Sequence, residues 1–243
     1  MNPRLTVATA ARVLGQVRND PRTIGLLILV PCLVLGLIAW MFDGTPVLNQ
    51  MGPLLLGLFP LITMFLVTSV ATLRERQSGT LERLMATPIG KADVVLGYAL
   101  AFGLFAVVQA LVLTGVTVWV YGMEVAGSLW LIVLVAVLDA ILGTALGLAG
   151  SAIARTEFQA VQLMPVLIFP QLITGGLLMS RDLMPTALEW FSRAMPLTYG
   201  MEALQDLAAG GTFGDVQGAV GAILAFIVGA LLLGTLTLRR RTP

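Results

Sequence analysis

The sequence predicts an all-α, polytopic membrane protein of six transmembrane helices. Three observations carry this. Of 243 residues, 58% are hydrophobic and only 11% charged, with a mean hydropathy of +0.95. A soluble domain of this size carries about 25% charged residues, so too few polar groups are present to solvate a globular surface. Second, the apolar residues run on continuously for about 20 positions at a time, the length of a helix spanning about 30 Å of hydrocarbon. Lipid cannot hydrogen-bond a backbone, so only helices or closed barrels span it, and barrel strands would alternate polar with apolar. Third, the basic residues gather in the segments that fall on one side of the spans.

Residues 1–22 lead in. At 100° per residue Val7, Ala10, Val13, Leu14 and Val17 fall on one side of a helix, and Arg4, Arg12, Gln16, Arg18 and Asn19 on the other. Such a helix suits the membrane interface, with arginines meeting phosphates; a soluble helix leading into the first span is the plainer alternative. Asp20-Pro21 breaks it. The apolar run that follows, Ile24 to Phe42, exceeds the usual core of a cleavable signal and is expected to be retained.

The six spans fall at about 23–42, 51–73, 94–121, 129–153, 159–179 and 216–238. Pro165 and Pro170 interrupt the fifth, where each removes a backbone donor. Twelve of the fourteen basic residues lie before span one, between spans two and three, between four and five, or after six; only Arg181 and Arg193 fall opposite. The positive-inside rule then puts both termini in the cytoplasm.

Four features could carry function. Between spans two and three, Arg74–Ala92 holds a short helix: Thr80 suits its N-cap, Glu82 its first turn, and Thr87-Pro88 its end. Leu81, Leu84 and Met85 give that helix an apolar face rimmed by Glu75, Glu82 and Arg83. This is either a partner surface or a solvated loop whose leucines dip into the interface. Asp139 is the one ionisable residue well inside a span, where a charge costs about 2.5–3.5 kcal/mol on insertion scales. It is an ion or substrate contact, or a hydrogen-bonded structural acid. Gly143, Gly147 and Ser151 continue its ridge at intervals of four, a face of small residues suited to close helix packing. Gly218, Gly221, Ala222, Ala225 and Gly229 give the last span a similar small face, read as a packing surface.

Absences narrow the chemistry. There is no His and one Cys, Cys32, so His-based metal or acid–base chemistry and intrachain disulfides are excluded. Gly90-Lys91-Ala92 lacks the upstream glycine and the hydroxyl of a phosphate-binding loop. No Ser–His pair, paired intramembrane aspartates or metal cluster is present. The chain reads as non-catalytic, with no metal and no nucleic-acid partner.

Two motifs bring in a family. Gly79-Thr80-Leu81-Glu82-Arg83-Leu84-Met85-Ala86-Thr87-Pro88-Ile89, with Leu96-Gly97 after it, resembles the first cytoplasmic loop of ABC-2 type transporter permeases, especially the drug-resistance branch typified by the daunorubicin exporter. Met195-Pro196-Leu197-Thr198-Tyr199-Gly200-Met201-Glu202-Ala203-Leu204, after Gly175-Gly176 and Met184-Pro185, is the second match. Tyr98 and Gln205 depart from the basic residues common in relatives.

The resemblance implies a connecting helix at 1–22, an ABC-2 transmembrane domain at 23–243, and a coupling helix at about 80–87. Glu75, Thr80, Leu81, Glu82, Arg83, Leu84 and Met85 would meet a cytoplasmic ABC ATPase. It also implies short re-entrant extracytoplasmic helices within 180–214 that contain Pro196, Tyr199, Glu202 and Asp206. The expected protein is a permease homodimer in the lipid of a bacterial cell membrane, paired with two ATPase subunits that bind ATP and Mg. It would export an amphipathic drug or lipid-like substrate. A membrane enzyme, or an assembly or regulatory membrane factor, is the alternative.

Overall fold

The computed structural model describes residues 2–80, 83, 89–175 and 183–237, with the side chains of 22, 23 and 237 left aside. Among the described residues all regular structure is helical. In chain order the helices are α1 (Pro3–Arg18), α2 (Pro21–Met41), α3 (Val47–Gln77), α4 (Lys91–Gly115, continued by a π-helical turn over Val116–Val120), α5 (Leu129–Gly150), α6 (Glu157–Thr174), α7 (Thr186–Arg193), α8 (Pro196–Ala208) and α9 (Phe213–Thr237). Five of them, α2, α3, α4, α5 and α9, are long and apolar enough to cross a membrane. The fifth expected span is α6, 18 residues long, which carries Gln159, Gln162 and Gln171 as well as its two prolines. Residues 176–179 of that span lie outside the described residues.

The centre of the bundle is the pair α3–α5, against which α4, α8 and α9 pack. Their approach is close because α5 has no side chain at the crossing. A Cβ at Gly147 would stand 2.6 Å from the Phe65 carbonyl oxygen, and one at Gly143 would overlap the Leu61 carbonyl. Small residues let helix backbones touch where lipid offers no hydrophobic drive of its own. Around this seam Leu56, Leu61, Phe65, Ile132, Leu142, Leu197 and Leu204 are fully enclosed.

Prolines inside the spans leave carbonyls without their helical donors, and the bundle supplies replacements. Pro31 in α2 cannot donate to Leu27; instead the buried Gln109 of α4 gives its amide Nε2 to the Leu27 oxygen at 3.0 Å and also meets Thr63 of α3. Tyr121, just beyond the π turn, donates to the Cys32 carbonyl at 2.9 Å. These two bonds fasten α2, whose outward face of Leu26, Leu29, Leu33 and Leu37 is otherwise exposed.

α1 does not float free at an interface. Its buried residues are Thr6, Thr9, Ala10 and Val13, which lie against α4. This corrects the expected face by part of a turn, since Val7 is 60% exposed. The reason lies at Gly97: a Cβ there would come within 2.6 Å of Thr9 Cβ and 3.0 Å of the Thr6 carbonyl. The glycine opens a slot that only small residues fill. The threonines can be buried because their hydroxyls are bonded, Thr9 to the Leu5 carbonyl at 2.9 Å and Thr6 to the Asn2 carbonyl and to Asp93 of α4, each at 3.3 Å. Asp93 also accepts from the amides of Asn2 and Gly90, at 2.9 and 3.2 Å, tying the start of α1 to the start of α4.

The small face of the last span is not covered by the described residues of its own chain. No atom lies within 4 Å of a Cβ built at Gly218, Gly221 or Gly229. Within one chain that face is open, and Ala225, Phe226, Gly229 and Leu233 with Leu146 line a groove of about 320 Å³ along it. The helix packs through Val216, Ile223, Ile227 and Ala230 instead.

Candidate functional sites

α7 and α8 form a helical hairpin that returns into the bundle. α8 starts with Pro196 at its first helical position, where the missing amide costs nothing. Its first turn is buried, so its free amides need partners from elsewhere. Gln171 of α6, itself buried, accepts from the Leu197 amide at 3.0 Å and donates to its own Leu167 carbonyl at 2.7 Å. Tyr199 reaches back to the Arg193 carbonyl at 2.8 Å and its ring sits 6.3 Å from that of Phe226. Glu202 is half-buried, while Asp206 lies on the exposed end of the helix, its main-chain oxygen accepting from Gly211 at 2.8 Å. Pro196, Leu197, Thr198, Gly200, Met201 and Leu204 are all buried.

The tip of α8 meets Asp139. This acid is the eleventh residue of the 22-residue α5, at mid-span, and is wholly buried. Two glycines flank it. A Cβ at Gly57 of α3 would stand 2.6 Å from Asp139 Oδ2, and one at Gly200 of α8 would overlap the carboxyl group. Neither carboxyl oxygen has a hydrogen-bond partner among the described residues, and the neighbouring helix brings another buried, unpartnered oxygen, Thr198 Oγ1. The hydrogen bonds expected of a structural acid are therefore absent. Asp139 fills a niche that two missing side chains create. Sequence reasoning singled out Asp139 but missed Gly57 and Gly200. The glycine at the centre of a short apolar helix in the second motif was the available signal.

The second site lies where α3 ends. Arg12 of α1 makes a bidentate ion pair with Glu75, at 2.8 and 3.0 Å, and donates to the Tyr98 hydroxyl at 3.1 Å. Tyr98 donates in turn to Glu75. Gln16, with its amide nitrogen turned toward the carboxylate, adds a bond of 2.9 Å. Two charges and a hydroxyl from α1, α3 and α4 are thereby locked together in a fork geometry that suits guanidinium and carboxylate. Arg74, the residue preceding Glu75, forms a second bidentate pair with Glu157 at the start of α6, at 2.8 and 2.9 Å. Those bonds hold the Glu157 carboxyl below the usual carboxylate range. Arg76 reaches the Ser151 carbonyl at the end of α5, at 3.2 Å.

After Gln77 the chain turns at Gly79, whose φ of +71° is a left-handed conformation that ends helices at little cost for glycine. The Arg83 amide bonds to the Gly79 carbonyl at 3.1 Å, and the Thr80 hydroxyl faces Ser78 at 3.0 Å. Thr80 is thus inside the following helical turn rather than its cap: Gly79 both closes α3 and opens the next turn. Leu81, Glu82, Leu84 and Met85 of the coupling segment lie outside the described residues.

Comparison with known proteins gives the class. The family model for ABC-2 type transporters matches residues 4–208, and the chain belongs to that family. It is 29% identical over 178 residues to ABC transporter G family member 20 of Dictyostelium discoideum, covering 72% of this chain and 24% of that protein. A probable multidrug ABC transporter permease of Escherichia coli, YbhR, is 27% identical over 147 residues, covering 60% and 40%. The linearmycin resistance permease protein LnrN of Bacillus subtilis is 26% identical over 184 residues, covering 75% and 47%. The chain thus spans between a quarter and half of the length of these relatives. Its five long apolar helices fit the membrane-spanning part of that family.

Proposed function

We propose that this chain is the permease of an ATP-driven exporter, acting as a homodimer with two cytoplasmic ATPase subunits that bind ATP and Mg. Its substrate is amphipathic or hydrophobic, a drug or a lipid-like molecule, moved out of the cytoplasm or the inner leaflet by alternating access. Both termini face the cytoplasm in a bacterial cell membrane, on the strength of the twelve-to-two split of basic residues. The names of the multidrug and linearmycin-resistance relatives agree with such a substrate.

The observation that carries the reading is the Arg12–Glu75–Tyr98 brace. α3 runs 31 residues and ends in the coupling segment. The brace ties that end to α1 and α4, and Arg74 and Arg76 tie it to α6 and α5. A push on residues 80–87 by a closing ATPase pair is therefore transmitted to four helices at once rather than absorbed by a loop. The permease adds no chemical step. It offers the substrate different affinities in two states, which the ATPase cycle interconverts.

Asp139 in this reading is a packing element that seats the α8 tip between α3 and α5, with Gly143, Gly147 and Ser151 forming the contact ridge beside it. A single acid with no second ionisable group well inside the spans is a poor transport site.

Two experiments test the proposal. With the partner ATPase co-expressed, Leu84→Asp or Glu82→Lys uncouples ATP hydrolysis from transport while leaving the permease inserted; normal co-purification and transport in both variants would remove residues 80–87 as the coupling element. In a Cys32-free background, a cysteine at position 186 is labelled from outside the cell, and labelling from the cytoplasm alone would invert the topology.

A further inference from the structure

A cleft of about 540 Å³ opens between α1, α3 and α4, within the range of small-molecule sites. Its floor is apolar: Leu66, Val67 and Val70 of α3, Phe102 of α4, and Val13 and Val17 of α1. Its rim is polar and carries both signs, with Arg74, Glu75, Asp20 and Gln16 among its lining residues. From Leu66 to Arg74 the cleft follows eight residues of α3, a rise of about 12 Å. That is close to the depth of one leaflet of the hydrocarbon core, about 15 Å. Leu66 with Val70, and Val67 with Ala71, form two adjacent rows on α3 whose neighbouring side chains stand about 5–6 Å apart, a strip narrow enough to favour one alkyl chain.

We propose that this cleft receives the alkyl chain of a single-chain zwitterionic amphiphile from the cytoplasmic leaflet, with its head group at the Arg74, Asp20 and Glu75 rim. The proposal deepens the exporter reading, on which it rests for the orientation of the cleft and for the role of its ligand as substrate. The chemistry follows from the walls. A hydrocarbon chain gains burial along the floor at about 0.8 kcal/mol per methylene. A head group bearing one positive and one negative centre matches a rim that carries both signs in its Arg74–Glu157 and Arg12–Glu75 pairs, whereas a purely anionic or cationic head meets a like charge. Glu75 belongs both to this wall and to the Arg12–Tyr98 brace, three residues before Ser78. A chain lying in the cleft therefore bears directly on the segment that leads to the ATPase. That is a physical route by which substrate occupancy reaches the coupling loop.

The probe is a lysophosphatidylcholine with a photoreactive diazirine at mid-chain, applied to the full chain in nanodiscs, with adducts mapped by mass spectrometry. Adducts concentrate on Leu66–Ala71 and Phe102, and excess unlabelled lysophosphatidylcholine removes them. Ala71→Trp fills the cleft and lowers labelling there about tenfold, equivalent to about 1.4 kcal/mol, while labelling of the outward Leu29, Leu33 and Leu232 is unchanged. Ala71→Leu, a milder filling, gives a smaller loss if the tryptophan variant does not fold. Labelling spread over all lipid-facing helices in proportion to exposure, or cleft labelling unaffected by either variant, overturns the proposal. So does equal cleft labelling by a two-chain phosphatidylcholine probe. The assay needs neither ATPase nor transport. Intact cleft labelling in a protein that exports nothing would count against the exporter reading alone, and lost labelling with export preserved against the cleft alone.

Discussion

Replacing Gly200 by alanine puts a methyl carbon where the Asp139 carboxyl group already is. Neither can yield easily: Gly200 sits in the buried body of α8, held at its start by Gln171, and Asp139 is wedged against Gly57 on its other side. Overpacking of this kind costs about 1–3 kcal/mol, and alanine returns roughly 1 kcal/mol as the better helix former. The net loss is about 0–2 kcal/mol, a fall in melting temperature of up to about 8 °C for a chain of this length. Asp139→Ala acts oppositely. It removes two oxygens that have no partner, a gain of about 1–3 kcal/mol, against about 1 kcal/mol for the space left behind. In the double variant the alanine methyl at 200 moves into that space, so the Gly200→Ala penalty vanishes. The coupling energy is about 1–3 kcal/mol. Thermal unfolding of the purified single and double variants, followed by size-exclusion monodispersity, measures it. Effects that add to within about 0.5 kcal/mol would refute the idea that the two groups compete for one volume.

Asp139→Asn, of the same shape, leaves stability and export nearly unchanged; a stable but inactive protein in the transport assay would make the charge itself functional. Gly143→Ala is destabilised by more than about 3 kcal/mol because its Cβ meets the Leu61 main chain, whereas Gly221→Ala, with open space around it, is neutral or gains up to about 1 kcal/mol in melting assays. Arg12→Ala leaves Glu75 half-satisfied and costs about 1–3 kcal/mol, read as faster amide exchange throughout α1. The Glu157 carboxyl is held low by Arg74, so its stabilising contribution is complete above the unfolded carboxylate pKa and is lost as pH falls through the lower folded one. Glu157→Gln flattens that acid limb of the melting curve, by a small amount that salt screens because the pair is exposed.

The helices were legible in the sequence because their cause is local. A continuous apolar run in lipid has no option but to bond its own backbone, and Asp20-Pro21 marks an end that needs no tertiary information. The face of α1 was misplaced because periodicity ranks valine above threonine. Burial was decided by the slot at Gly97, 91 residues after Thr6. The small face of α9 was read as packed because sequence pattern shows only that a helix can be approached closely, never by what. Tyr98 was visible only as a departure from relatives; its hydroxyl proves to close the Arg12–Glu75 brace.

By itself the sequence determined the membrane class, the helical spans and the ABC-2 family, since hydropathy and short contiguous motifs are properties of neighbouring residues. Only the tertiary structure decided which groups share a site. Asp139 acquires its meaning from Gly57 and Gly200, and Glu75 from Arg12 and Tyr98, residues 23 to 82 positions away. A glycine records the absence of a side chain, and only the fold says whose atoms occupy the room it leaves.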